Sequence, residues 1–94
     1  MTVETLTSHL APVLRQHHVV EAYLFGSAAR REDTEHSDVD ILVRFDKTRG
    51  LFAFVQTKLD LENAIGGRKV DLVQTNALHP NFQEAVINER IRII

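Results

Sequence analysis

Asp38 and Asp40 stand on either side of Val39 at the start of an apolar run, Val39 to Phe45 (VDILVRF). No other feature constrains the fold of this chain as strongly. Residues two apart on a strand point to the same face of a sheet. Both carboxylates therefore share one face, and Val39, Ile41, Val43 and Phe45 share the other. Burying unpaired carboxylates is costly, so the run predicts a strand with an open, acidic face and an apolar face covered by helices.

The rest of the chain supplies those helices and further strands. Val3, Leu6, Leu10 and Leu14 recur at helical spacing and predict an amphipathic helix to about His17. Pro12 lies inside it, lacks an amide donor and predicts a kink or a late start. Residues Val19 to Phe25 (VVEAYLF) are rich in β-branched and aromatic types and predict a strand, broken by Gly26-Ser27. A polar stretch from Ala28 to Ser37 follows, with room for one helical turn at its start. Asp46 to Gly50 reads as a turn. Leu51 to about Ile65 predicts a second amphipathic helix with Leu51, Phe54, Val55 and Leu59, and Leu61 or Ile65, turned inward. Gly66-Gly67 ends it. Lys69 to Gln74 (KVDLVQ) predicts a third strand, Asn81 to Glu89 a short helix after Pro80, and the tail IRII a short fourth strand. There is no repeat and no linker. The expected fold is therefore one α+β domain over residues 1–94, a small mixed sheet of three to four strands with helices on one face.

Several functional classes fall away on composition. No apolar run approaches the roughly 20 residues of a membrane span, and the polar N-terminus MTVETLTSHL does not read as a signal peptide. Cysteine is absent, which removes thiol nucleophiles and cysteine-based zinc sites and fits a cytoplasmic protein. The net charge of -2 argues against strong direct nucleic-acid binding. His9, His17, His18, His36 and His79 show no metalloprotease-type spacing.

Asp71 adds a third carboxylate. It lies between Val70 and Leu72, so by the same alternation it faces away from the core. If its strand neighbours that of Asp40, three carboxylates converge on the open face. Like charges at close range repel, and a cluster of hard oxygen donors calls for cations; magnesium binds such carboxylates together with substrate phosphates. Gly26 permits a sharp turn and close approach of a ligand. Ser27 and nearby amides can cup phosphate oxygens, and Arg30 and Arg31 follow within a turn.

Gly26-Ser27, ten intervening residues and then Asp38-Val39-Asp40, with Asp71 on a following strand, resembles the signature of the DNA polymerase β-like nucleotidyltransferase superfamily. The short length and the run FGSAARRE…SDVDILV most resemble its minimal nucleotidyltransferases. The resemblance spans about residues 20–75. It implies that Asp38 and Asp40 bind two magnesium ions, and that Asp71 binds the catalytic one and helps activate the acceptor hydroxyl. It further implies that Gly26, Ser27 and Arg30 hold the phosphates of ATP, the substrate. Minimal members often pair with a HEPN-domain toxin as its antitoxin, and some transfer AMP to a toxin tyrosine. The chain departs from the frequent GS-R-A-R-G pattern: Ala28 replaces the first arginine and Arg31 replaces the glycine, while Arg30 keeps its place.

Two further readings are weighed beside this one. The chain could neutralise its partner sterically, without catalysis, or transfer a nucleotide to RNA or a small molecule. Self-association and hetero-association are both compatible with so small a domain.

Overall fold

The computed structural model describes residues 1–47 and 49–94, residue 82 by its backbone; Thr48, within the turn expected over 46–50, lies outside the described residues. In chain order the elements are α1 (Val3–Gln16), β1 (Val19–Phe25), α2 (Gly26–Ala29), β2 (Val39–Phe45), α3 (Leu51–Ala64), β3 (Val70–Gln74), a 3-10 turn (Thr75–Ala77), α4 (Pro80–Glu89) and β4 (Ile91–Arg92). No helix among the described residues is long and apolar enough to cross a membrane.

The sheet has the order β3-β2-β1-β4. β1 runs antiparallel to both β2 and β4. β2 and β3 are parallel, and α3 makes the crossover that a parallel pair requires. The alternation read from the sequence holds. Ala22, Leu24, Val39, Ile41, Val43, Val70 and Leu72 join Leu6, Leu10, Leu14, Leu61 and Ile65 in the main core, beneath α1 and α3. A smaller cluster of Tyr23, Leu42 and Val86, with Phe25, Val73 and Leu78 against it, forms on the opposite face. It holds α4 over part of the carboxylate side, so α1 and α3 form the expected helical layer and α4 adds a partial cover opposite. Arg90, at the end of α4, places its guanidinium 4.0 Å from the centre of the Tyr23 ring, a cation–π contact.

Two expectations about the helices change. Instead of starting late, α1 begins at Val3 and continues through Pro12 to Gln16. Pro12 is exposed and removes one backbone donor, while burial of Leu10 and Leu14 on either side holds the helix. In α3 the inward stripe is Phe54, Thr57, Leu61 and, just past the end, Ile65. Leu51, Val55 and Leu59 are turned outward instead, 79%, 42% and 45% exposed. Both stripes have helical spacing, and the polar Thr57 disguised the buried one. Its hydroxyl donates to the Ala53 carbonyl at 2.8 Å, which lets it sit in the core without an unmet polar group.

Candidate functional site

β2 is a central strand, and Asp40 is its pivot. On one side Asp40 is in register with Phe25 of β1, and on the other with Asp71 of β3. Asp38 lies two residues earlier on the same face. Asp38 and Asp71 are exposed and Asp40 is half-buried. The structure thus brings the three expected carboxylates to one face. Burial, then the charges of Asp71 and Asp38, push the Asp40 carboxyl above the usual carboxylate range, and Arg30 partly opposes them.

The Gly26-Ser27 turn sits directly beside this pivot. Gly26 has φ +66°, and a Cβ added there would overlap the Asp40 carboxylate. Glycine is required twice, by the left-handed backbone and by the close approach. The helical turn starts at Gly26 rather than at Ala28. It is stapled by the Arg30 amide donating to the Gly26 carbonyl at 3.1 Å and the Glu32 amide donating to that of Ser27 at 2.9 Å.

Arg30 reaches across the mouth of the site. Its Nε donates to Glu32 at 3.2 Å and its Nη1 to Glu89 of α4 at 3.0 Å. The two carboxylates, Glu32 first, hold its pKa above the ordinary arginine value. Arg31 turns away and pairs with Glu4 at 3.1 Å. Its φ is 60°, the left-handed conformation that glycine adopts freely and other residues rarely. This accounts physically for the glycine in the pattern from which Arg31 departs.

A cavity of about 320 Å³ opens beside Gly26, Arg30 and Asp71, with Phe25 and Val73 from the sheet and Leu78 and Val86 from the cover as its apolar walls. A second, of about 330 Å³, lies at the other ends of β2 and β3 among Arg44, Lys47 and Gln74, away from the carboxylates. Among the described residues no three His, Cys, Asp or Glu side chains form a ready-made metal cage. Asp38, Asp40 and Asp71 share one face as hard oxygen donors, the ligand type that magnesium takes alongside waters.

Residues that the sequence reading did not single out also converge here. Glu89 bonds Arg30 from α4. Arg68, just before β3, binds the loop that leads into Asp38: its Nη2 lies 2.9 Å from Asp33 Oδ2, 3.0 Å from the Thr34 carbonyl and 3.1 Å from the Ser37 carbonyl. Neither carries a local sequence signal, because both partners are distant in the chain.

Comparison with known proteins places this geometry in context. Residues 8–94 match the family described as polymerase beta, nucleotidyltransferase. A candidate protein adenylyltransferase of Methanocaldococcus jannaschii is 35% identical over 94 residues, covering all of both chains. A solved candidate minimal nucleotidyltransferase superposes with a TM-score of 0.81 at 38% identity, over 97% of this chain and 95% of its own. An MNT antitoxin fold, solved in complex with a tri-AMPylated HEPN toxin of Shewanella oneidensis, gives 0.75 at 21% identity, over 99% of this chain and 72% of the other.

Proposed function

Because the chain belongs to the polymerase beta nucleotidyltransferase family, we propose that it transfers AMP from ATP to a tyrosine hydroxyl of a HEPN-type toxin and acts as its antitoxin. The observation that carries this reading is the register of Asp40 with Asp71 across β2 and β3, with Asp38 on the same face and Gly26 against Asp40. The protein-adenylyltransferase assignment of a full-length relative and the fold shared with an MNT antitoxin of a HEPN toxin support the acceptor class.

Each residue has a role in this reading. Asp38, Asp40 and Asp71 would hold two magnesium ions, with Asp71 on the acceptor side. When bound, the ions supply charge neutralisation, a lowered pKa for the attacking hydroxyl and stabilisation of the departing pyrophosphate. Burial first, and then the neighbouring Asp71 and Asp38 charges, raise the pKa of Asp40, and bound cations would offset the like-charge part. Gly26 lets the turn carry phosphate up against Asp40, and Ser27 and the turn amides hold the phosphate oxygens. Arg30 exchanges Glu89 for a phosphate oxygen, a charge-assisted contact. The acceptor hydroxyl enters from the exposed side of Asp71 and gives up its proton to the Asp71 carboxylate; its oxygen bonds the α-phosphorus as the bond from phosphorus to pyrophosphate breaks.

The test uses α-phosphate-labelled ATP and Mg²⁺ with this chain and its HEPN-type partner. Label should appear on the partner and disappear with Asp40→Asn. Neutralisation of the toxin by Asp40→Asn at equal expression, without label, would establish the steric reading instead.

A further inference from the structure

We infer that Arg68 is a positioning residue that sets Asp38 against Asp71, a role that rests on the nucleotidyl-transfer reading of the site. Asp38 has little to fix it locally. It is exposed and lies just outside the first residue of β2. What holds it comes from the two residues immediately ahead of β3. On the N-terminal side of Asp38, the Ser37 carbonyl accepts from Arg68 Nη2 at 3.1 Å. On the C-terminal side, the Val39 amide donates to the Lys69 carbonyl at 2.9 Å. Residues 68 and 69 thus grip both peptides that flank Asp38. The same stretch continues directly into Val70 and Asp71 of β3. Two of the three carboxylates are tied together through one short segment.

The grip is built rather than incidental. The loop closes on itself first: the Thr34 amide donates to Ser37 Oγ at 3.0 Å, and the Ser37 amide to the Thr34 carbonyl at 3.0 Å. Arg68 then docks this closed turn through Asp33 Oδ2, the Thr34 carbonyl and the Ser37 carbonyl, three acceptors within 3.1 Å of Nη2 that share its two hydrogens. The Arg68 and Asp33 side chains are only 11% and 13% exposed, whereas Arg30 and Arg31 nearby are 42% and 59% exposed. An exposed pair is weakened by solvent and by mobile side chains; this one is largely shielded and bonds through Arg68 Nη2, while the buried Nε of Arg68 has no partner among the described residues. Groups bonded directly to metal-binding side chains commonly change metal affinity or activity about 10–100-fold when removed; Arg68 acts through the peptide ahead of Asp38, so the lower end of that range is expected.

The test reads metal binding without turnover. Mn²⁺ is titrated by electron paramagnetic resonance into the full chain with α,β-methylene-ATP, which cannot transfer AMP. The wild type, Asp40→Asn, Arg68→Met and Arg68→Lys are compared, with melting curves and amide spectra recorded in parallel. Arg68→Met should bind Mn²⁺ about tenfold more weakly with its fold intact, and Arg68→Lys should recover part of the loss. A folded Arg68→Met that binds Mn²⁺ within about twofold of wild type would overturn the inference, even if it melts earlier. Should Arg68→Met not fold, Arg68→Gln, which keeps a polar side chain but is too short to reach Ser37, is judged by the same thresholds. A wild-type chain that binds no Mn²⁺ would defeat the functional reading together with the inference. Wild-type binding that Asp40→Asn loses and Arg68→Met keeps would defeat the inference alone.

Discussion

Gly26 and Asp40 are packed so closely that the space where any other residue would carry its Cβ is filled by the Asp40 carboxylate. The register explains why. Phe25 pairs with Asp40, and the chain turns at the next residue, so the turn lies over the carboxylate. Gly26→Ala must both push Asp40 aside and hold alanine at φ +66°. The expected result is a loss of about 1–2 kcal/mol of stability and of at least about 100-fold in transfer rate. Denaturant unfolding and the labelling assay measure the two effects.

Asp40 should trade stability for activity. Its pKa is raised above the ordinary aspartate value of 3.8 by burial, Asp71 and Asp38. Between 3.8 and that higher value the folded chain binds more protons than the unfolded chain, so stability falls as pH rises through this window. Asp40→Asn removes the effect. In metal-free buffer at neutral pH it should melt about 2–5 °C higher than wild type while losing transfer. Melting curves from pH 3.5 to 7 check the sign: the advantage of the variant should shrink as the pH is lowered.

Glu62 works in the opposite sense. Its carboxylate accepts from the Val70 amide at 2.9 Å and from Lys58 at 3.1 Å, and the Val70 bond foremost lowers its pKa from 4.5. Its contribution is present above 4.5 and is lost as pH falls through the lower folded value. Glu62→Ala leaves the first amide of β3 without this acceptor and should cost about 1–2 kcal/mol at pH 7. The difference from wild type should narrow in acid, as followed by urea unfolding at pH 3 and pH 7.

Arg31→Gly should be tolerated and even favourable. The substitution relieves a left-handed conformation at φ 60° and gives up an exposed ion pair with Glu4. A gain of roughly 0.5–1 kcal/mol is expected, because the exposed pair contributes little. Transfer activity should stay within about twofold of wild type, since the Arg31 side chain points to α1 and not to the site.

The strands and the carboxylate face were legible because side-chain alternation is a local property. Val19–Phe25 and Val39–Phe45 begin and end where their β-branched and apolar residues do, and the alternation of Asp38, Val39 and Asp40 predicts the face that the structure shows. The face of α3 was not legible. Leu51, Val55 and Leu59 form as regular a stripe as Phe54, Leu61 and Ile65, and packing against α1 and the sheet decides between them. The same holds for Arg68 and Glu89. An arginine before a strand and a glutamate late in a helix are ordinary solvent-facing residues until the fold delivers Ser37 and Arg30 to them. The position of α4 over Tyr23 and Leu42 likewise depends on the turn after β3, which carries no periodic signal.

The parallel pairing of β2 with β3 has a consequence for when the site comes into being. The antiparallel pair β1–β2 can bring Gly26, Asp38 and Asp40 together from neighbouring segments of chain. Asp71 joins them only after α3 has crossed over the sheet and β3 has found its register. A nascent chain, or a fragment cleaved before β3, therefore carries two of the three aspartates and no complete cluster. The three-aspartate face is complete once β3 is in register, before α4 and β4, which follow it in the chain, have packed, so no molecule that lacks β3 gathers all three carboxylates.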